Sequence, residues 1–296
     1  MRVLLTGATG LIGRQTAIEL ERAGHEVIAA SRTGAPVAGA ERTVAVDLLD
    51  QLSARDALDA AGAEGLVHAA WYGGPGRMTA RANIDWAAAT LRLVSDFSRC
   101  GGKHLVAAGS CAEYDWSRDV RHRESDSLAP QGLYGQSKAR TGQMLCEAAA
   151  SLGLVVAWAR IFFVYGPGEP QGRLLGDLFH GFRTGQTVPC TDGEQVRDFL
   201  HVSDVARAMV AVLDAGVSGP VNIASGKGTR VRDLVTEAAQ QSGAAQLVSL
   251  GARPRPDDDP ASVIADTSKL KSQTGFVPTF DLRSGIANVV EQERHS

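Results

Sequence analysis

Short apolar runs alternate along this chain with stretches whose apolar residues recur at helical spacing. Val3–Leu5 is the first run, and Arg14–Ala23 comes after it with Ala17, Ile18 and Leu20 on one face. Further runs lie at His25–Ala30, Arg42–Val46, Gly65–Ala70, Lys103–Gly109, Leu154–Val164 and Val221–Ser225. Helical stretches fall between them, around Gln51–Ala60, from Asn83 onward, and from Tyr134 through Ala150; Glu169–Pro189 supplies a loop and a helix. Apolar runs of this length, bounded by turn residues, read as strands buried on both faces. Strands alternating with helices predict an α/β fold with a doubly wound parallel sheet.

The first turn carries the densest signal. Gly7, Gly10 and Gly13 stand as G-A-T-G-L-I-G, with Thr9, Leu11 and Ile12 between them. They lie between a strand and a helix, the context a dinucleotide fingerprint requires. A side chain at Gly7 obstructs the tight turn, one at Gly10 keeps the backbone from a pyrophosphate, and one at Gly13 holds helix and strand apart. The helix N-terminus offers free N–H groups and partial positive charge to phosphate.

Composition narrows the class. The chain has 296 residues, 44% hydrophobic and 21% charged, enough for a large core in two domains or in one large α/β domain with an appended lobe. A net charge of −3 without long single-sign runs gives no signal for nucleic acid or an anionic membrane. Leu152–Val164 is interrupted by Arg160 and is too short to span a bilayer. Cys100, Cys111, Cys146 and Cys190 form no C-x-x-C, and no signal peptide is visible; free thiols in the cytoplasm are expected, and no metal site.

The residues just after the second strand set the cofactor type. An acidic residue there binds the ribose 2′-OH of NAD. This chain has Ser31 and Arg32, whose hydroxyl and guanidinium suit a 2′-phosphate. NADP(H) is therefore preferred, with NAD(H) possible; a solvated Arg32 is the competing reading.

Ser110 stands at the end of the fifth strand, and Tyr134 and Lys138 lie 24 and 28 residues further on. Spacing i, i+4 puts phenol and ammonium on one helix face. A phenol titrates near 10, too high for acid–base work at neutral pH, and a nearby lysine charge is expected to lower it. Tyr134 then passes a proton to or from a carbonyl oxygen, while Ser110 donates a hydrogen bond to that oxygen.

The three glycines, the strand-end serine and Tyr-x-x-x-Lys together resemble the extended short-chain dehydrogenases/reductases, the NAD(P)-dependent nucleotide-sugar epimerase/dehydratase/reductase family, over nearly the whole chain. The resemblance implies that Lys138 reaches the nicotinamide ribose. It implies that Asp47 holds the adenine amino group with Leu48 on the ring, where the residues alone allow a helix-capping Asp47 equally. Ala69 and Ala70 let the backbone approach the cofactor. Asn83 occupies a position where members commonly have Asn, and a helix cap is its other reading. Trp71, in Trp-Tyr-Gly-Gly, is a substrate-contact candidate at a strand's C-terminal end, or a core residue.

The block Ala159–Gly168 matches R-x-F-N-x-Y-G-P, with Phe163 where Asn usually contacts the substrate, so a more apolar pocket is expected. Arg173 is a phosphate or sugar candidate. Gly193–Val205 matches G-x-x-x-R-D-F-x-H-V-x-D-V and implies that Arg197 binds the substrate diphosphate. Arg253 takes the position of a second such arginine, with Arg255 as competitor. His201 and Asp204 are expected to be structural ties. The implied organisation is residues 1–165 as the cofactor half, with 196–225 returning to it, and 166–195 plus 226–296 as a smaller, discontinuous substrate lobe. A homodimer is the default the resemblance carries.

The reaction is narrowed by replacement. Cys111 and Ala112 stand where a 4,6-dehydratase carries its acid–base pair, and alanine transfers no proton. Cys111 is one place early for an epimerising thiolate and reads better as a small apolar residue beside the substrate; Glu113 is one place late for the dehydratase carboxylate. The expectation is an NADPH-dependent reductase of a nucleotide-activated 4-keto-6-deoxy sugar. The alternatives are a C4 epimerase with tightly bound NAD, and a reductase of a small aldehyde or ketone without a nucleotide.

Overall fold

The computed structural model describes residues 1–118 and 120–294. Seven strands form one parallel sheet: β1 (Arg2–Thr6), β2 (Glu26–Ser31), β3 (Arg42–Ala45), β4 (Gly65–His68), β5 (His104–Ser110), β6 (Val155–Ile161) and β7 (Gly219–Ile223). Their spatial order is β3-β2-β1-β4-β5-β6-β7. The order reverses between β1 and β4, the topological switch point outside which ligands bind in such sheets.

Helices cover both faces, which is why these strands read as nearly unbroken apolar runs. Helices α1 (Leu11–Arg22) and α6 (Val202–Asp214) pack one face through Ala17, Leu20, Val205 and Met209. On the other face, α2 (Gln51–Ala61), α3 (Ala82–Arg99) and α4 (Gly132–Leu152) bury Leu58, Leu93, Phe97 and Leu145 against Leu4, Leu66 and Leu105. Each fully buried aliphatic side chain of this kind contributes about 1.5–3 kcal/mol.

The run Leu154–Val164 is not one strand. β6 ends at Ile161, and Phe163–Tyr165 leaves the sheet to pair in parallel with Phe199–His201. Backbone hydrogen bonds mark the change: Phe162 N–H still goes to Ile223 O of β7, whereas Phe163 N–H goes to Asp198 O, outside the large sheet. A second core gathers Leu175 and Phe179 of α5 (Leu174–Thr184), Leu234 and Ala238 of α7 (Val231–Gln241), and Ile286 and Val289 of α8 (Leu282–Glu293). A small sheet beside it contains 229–230, 196–197, 262–265 and 121–122 in that order. The strand Arg121–His122 comes after β5, so the chain between β5 and α4 also builds the small sheet. Two residues are too few for any periodicity to announce it.

Two buried aspartates tie these parts together. Asp198 accepts from Ser225 N and Oγ, Gly226 N and Ala265 N. Asp204, in the first turn of α6, accepts from Thr279 N and Phe280 N. His201 caps that helix by accepting from Ser203 N, and its ring lies 4.2 Å from Phe280. Among the described residues no helix is long and apolar enough to cross a membrane, and no cluster of metal-ligating side chains occurs.

Candidate active site

The turn between β1 and α1 is compact because its glycines face backbone. Gly7 has φ +71°, and a Cβ there meets Ala70 N at 2.7 Å and Ala69 C at 2.8 Å. A Cβ on Gly13 collides with Gly7 O. The strand end at Ala69–Ala70 thus lies directly against the turn, and β4 stops at His68 accordingly. Gly10 caps α1 without any side-chain hydrogen bond, so the first-turn N–H groups of Leu11 and Ile12 stay open to an external anion. Ile12 packs inward on the core. Thr9 and Arg14 line a crevice of about 360 Å³ with Pro36–Ala38 and Gly168. A dinucleotide's phosphates fit the turn itself: it offers free N–H donors, and Gly7, Gly10 and Gly13 put no Cβ in the way.

No acidic residue stands at the end of β2. Ser31 is buried and its hydroxyl accepts from Gly34 N at 3.1 Å. Arg32 is exposed and has no partner among the described residues. Beyond β3, Asp47 is exposed and its side chain accepts from Leu49 N; Asp50, accepting from Leu52 N and Ser53 N, is the N-cap of α2. Leu48 packs at the edge of the adjoining core.

Across the switch point, Ser110, Tyr134 and Lys138 come together from β5 and α4. The Ser110 hydroxyl accepts from Ala112 N at 3.2 Å, and its influence pulls the Tyr134 phenol downward. Lys138 Nζ donates to Ala108 O at 2.6 Å and lies 3.6 Å from the Trp71 ring centre. Burial pushes its pKa down to about 7. The expected depression of the phenol by Lys138 is not found. Burial pushes Tyr134 up, against the pull of Ser110 and of Arg77. Arg77, 5.9 Å from the Tyr134 ring, is the cation facing the phenol, because Lys138 is turned toward Ala108 and Trp71.

Asn83 is fully buried at the second position of α3 and does not cap it. Its oxygen accepts from Trp71 Nε1 at 2.9 Å, and its amide donates to Arg77 O and Ala80 O. Cys111 is buried beside Tyr114 and Phe162, and burial pushes its thiol up to about 12, far from an active thiolate. Glu113 is likewise no free acid. It pairs with Arg160 at 2.9 Å and accepts from Ser110 N at 2.7 Å and Trp158 Nε1 at 2.8 Å.

Phe163 is half-buried, with the Arg197 guanidinium 5.4 Å from its ring. Arg197 is buried and paired with Asp259. Arg255 pairs with the same carboxylate at 3.2 Å. Arg255, not Arg253, therefore stands beside Arg197; Arg253 is exposed, its backbone N–H bonded to Cys190 O. Arg173 lies near Arg77, Glu169 and Tyr134. Glu169, which the sequence did not single out, has one carboxylate oxygen without a hydrogen-bond partner, and burial pushes its pKa up to about 7. The sequence signal missed for the Glu113 pair was Arg160 itself: a charge inside a buried strand requires a partner.

A Rossmann sheet with a phosphate cradle at its switch point and a Ser–Tyr–Lys cluster beside it defines an NAD(P)-dependent enzyme of the extended short-chain dehydrogenase/reductase type. The chain belongs to the NAD dependent epimerase/dehydratase family, whose model matches residues 3–224. It is 28% identical to a UDP-glucose 4-epimerase of Corynebacterium glutamicum, the match covering 96% of this chain and 93% of that one. It is 27% identical to a dTDP-4-dehydro-6-deoxy-D-allose reductase of a Streptomyces species, covering 96% and 93%. The solved structure of MoeE5 in complex with UDP-glucose and NAD superimposes with a TM-score of 0.88 at 30% identity, over 100% of this chain and 99% of that one.

Proposed function

We propose that the protein is an NADPH-dependent reductase of a nucleotide-activated 4-keto-6-deoxy sugar. The carrying observation is the end of β2, where an exposed Arg32, unpaired among the described residues, stands in place of a ribose-binding carboxylate. A guanidinium there suits a 2′-phosphate. The nicotinamide, when bound, supplies the hydride. Gly7, Thr9, Gly10, Leu11, Ile12 and Gly13 cradle the pyrophosphate, Ser31 and Arg32 take the 2′-phosphate, and Asp47 with Leu48 takes the adenine. Lys138 holds the nicotinamide ribose. Ser110 donates to the substrate's carbonyl oxygen, and Tyr134 gives that oxygen its proton. A phenol kept protonated by burial, as here, suits proton donation in the reductive direction.

In this reading Trp71, Cys111 and Phe163 line an apolar sugar pocket, and Arg173 reaches its polar edge. Arg197 takes the diphosphate, with residues 166–195 and 226–296 as the substrate lobe. The homodimer expected from the resemblance fits Ile84 and Met144, exposed apolar residues on α3 and α4.

One observation favours a C4 epimerase as the second reading: the similar solved structure contains NAD with UDP-glucose. One titration separates the two. NADPH and NADH are added to the purified protein while nucleotide fluorescence is monitored, and the released cofactor is assayed. Loose binding with strong NADPH preference, plus NADPH oxidation with a dTDP- or UDP-linked 4-keto-6-deoxy sugar, supports the reductase. NAD that survives purification overturns it in favour of the epimerase. Tyr134→Phe is expected to lower turnover by about 100- to 10,000-fold while leaving NADPH binding intact.

A further inference from the structure

The Lys138 ammonium is enclosed by groups of different kinds. It is 2% exposed. Nζ donates to Ala108 O at 2.6 Å, and the ring centres of Trp71 and Trp158 lie 3.6 Å and 5.8 Å away. Trp71 is itself fastened. Its indole N–H donates to Asn83 at 2.9 Å, and the buried Asn83 amide grips Arg77 O at 2.7 Å and Ala80 O at 2.8 Å. One edge of the indole is thus anchored to α3 while its face rests on the ammonium. A cation on a tryptophan face is attracted by the ring quadrupole, most strongly where water is absent. The indole is half-exposed and Lys138 is buried, so the ring separates the charge from solvent.

We propose that Trp71 is a positioning residue for Lys138: its ring face holds the ammonium in place and keeps water from it. This rests on the reading of Lys138 as the ligand of the nicotinamide ribose. The other groups around the lysine are accounted for. His68, on β4, is bonded to Thr6 and Thr90, and burial keeps it neutral, with its pKa pushed down to about 3. Glu113, after β5, favours the charged lysine but is already paired with Arg160. Tyr134 lies one turn earlier on α4. With these fixed, water access through the position of Trp71 is the variable that sets where Lys138 titrates. Hydration restores the charged form, so opening that side raises the pH at which the proton is lost.

The test needs no sugar substrate. NADPH dissociation constants are measured by fluorescence titration from about pH 6 to about pH 10, a range spanning ordinary and depressed lysine values, for the wild type, Trp71→Phe, Trp71→Ala and Lys138→Met. The wild type is expected to lose affinity several-fold as Lys138 deprotonates, and Trp71→Phe to behave likewise. Trp71→Ala shifts that loss upward by about one pH unit, and Lys138→Met abolishes the pH dependence. A Trp71→Ala profile that overlays the wild type while Lys138→Met is flat overturns the proposal. A Lys138→Met profile that keeps the wild-type shape overturns the underlying reading of the lysine. If circular dichroism shows Trp71→Ala unfolded, Trp71→Leu answers the same question. It retains an apolar cover but no ring face, so the loss of affinity moves to lower pH, and an unmoved profile overturns the proposal.

Discussion

Glu113 and Arg160 meet at 2.9 Å beneath Ser110, with side chains 0% and 6% exposed. The carboxylate also accepts from Ser110 N and Trp158 Nε1, while Arg160 donates to Tyr114 Oη and Glu124 O. Ser110, the end of β5, is therefore held by a charge pair that reaches across to β6. Removing one member strands the other in the interior, which typically costs about 3–5 kcal/mol. Glu113→Ala is expected to lower Tm by about 10 °C, whereas Glu113→Gln, which keeps an acceptor for Ser110, costs about half as much. Thermal unfolding monitored by circular dichroism measures both; equal, small losses would show the pair to be dispensable.

Glu169 makes stability depend on pH in a direction opposite to that of most surface carboxylates. Its pKa is 4.5 ordinarily and about 7 in the folded chain, because burial outweighs the pull of Arg173. Between those values the folded chain holds the proton more tightly than the unfolded one. The group's contribution therefore falls as pH rises through that window, and the penalty is complete above it. Glu169→Gln mimics the protonated form. It is expected to raise Tm by about 2–4 °C at about pH 8, and to leave it unchanged near pH 4. A Tm gain that is the same at both values contradicts the assignment.

Arg32 has no structural partner among the described residues, so its replacement leaves the fold intact and tests cofactor choice cleanly. Arg32→Ala is expected to weaken NADPH binding by roughly 10- to 100-fold, the worth of a charge-assisted pair, with NADH unchanged. Parallel loss for both nucleotides would remove Arg32 from the 2′-phosphate site.

The shared Asp259 carboxylate ranks the arginines of the second lobe. Arg255 stands with Arg197 on it, and Arg253 does not. Isothermal titration with UDP and dTDP is expected to show roughly 10-fold or greater weakening in Arg197→Ala and Arg255→Ala, and little change in Arg253→Ala. The reverse order for the last two would restore Arg253 to the role its sequence position implied.

Local sequence determined much of this protein. The strand runs, the three glycines and the i, i+4 Tyr134–Lys138 pair are short-range patterns. Backbone sterics and helix periodicity convert them into a parallel sheet, a phosphate cradle and two side chains on one helix face. The absence of a carboxylate after β2 is equally local. Tertiary structure decided what those side chains meet. Lys138 turned toward Ala108 and Trp71, which left Arg77 to face the phenol. Glu113 became the buried partner of Arg160, and Asp259 drew Arg255 to Arg197. Burial raised Tyr134 and Glu169 and lowered Lys138. Spacing predicts none of these, because each pairs residues from different strands or loops. The charge state of a buried group depends on the solvent and partners that the folded chain leaves around it.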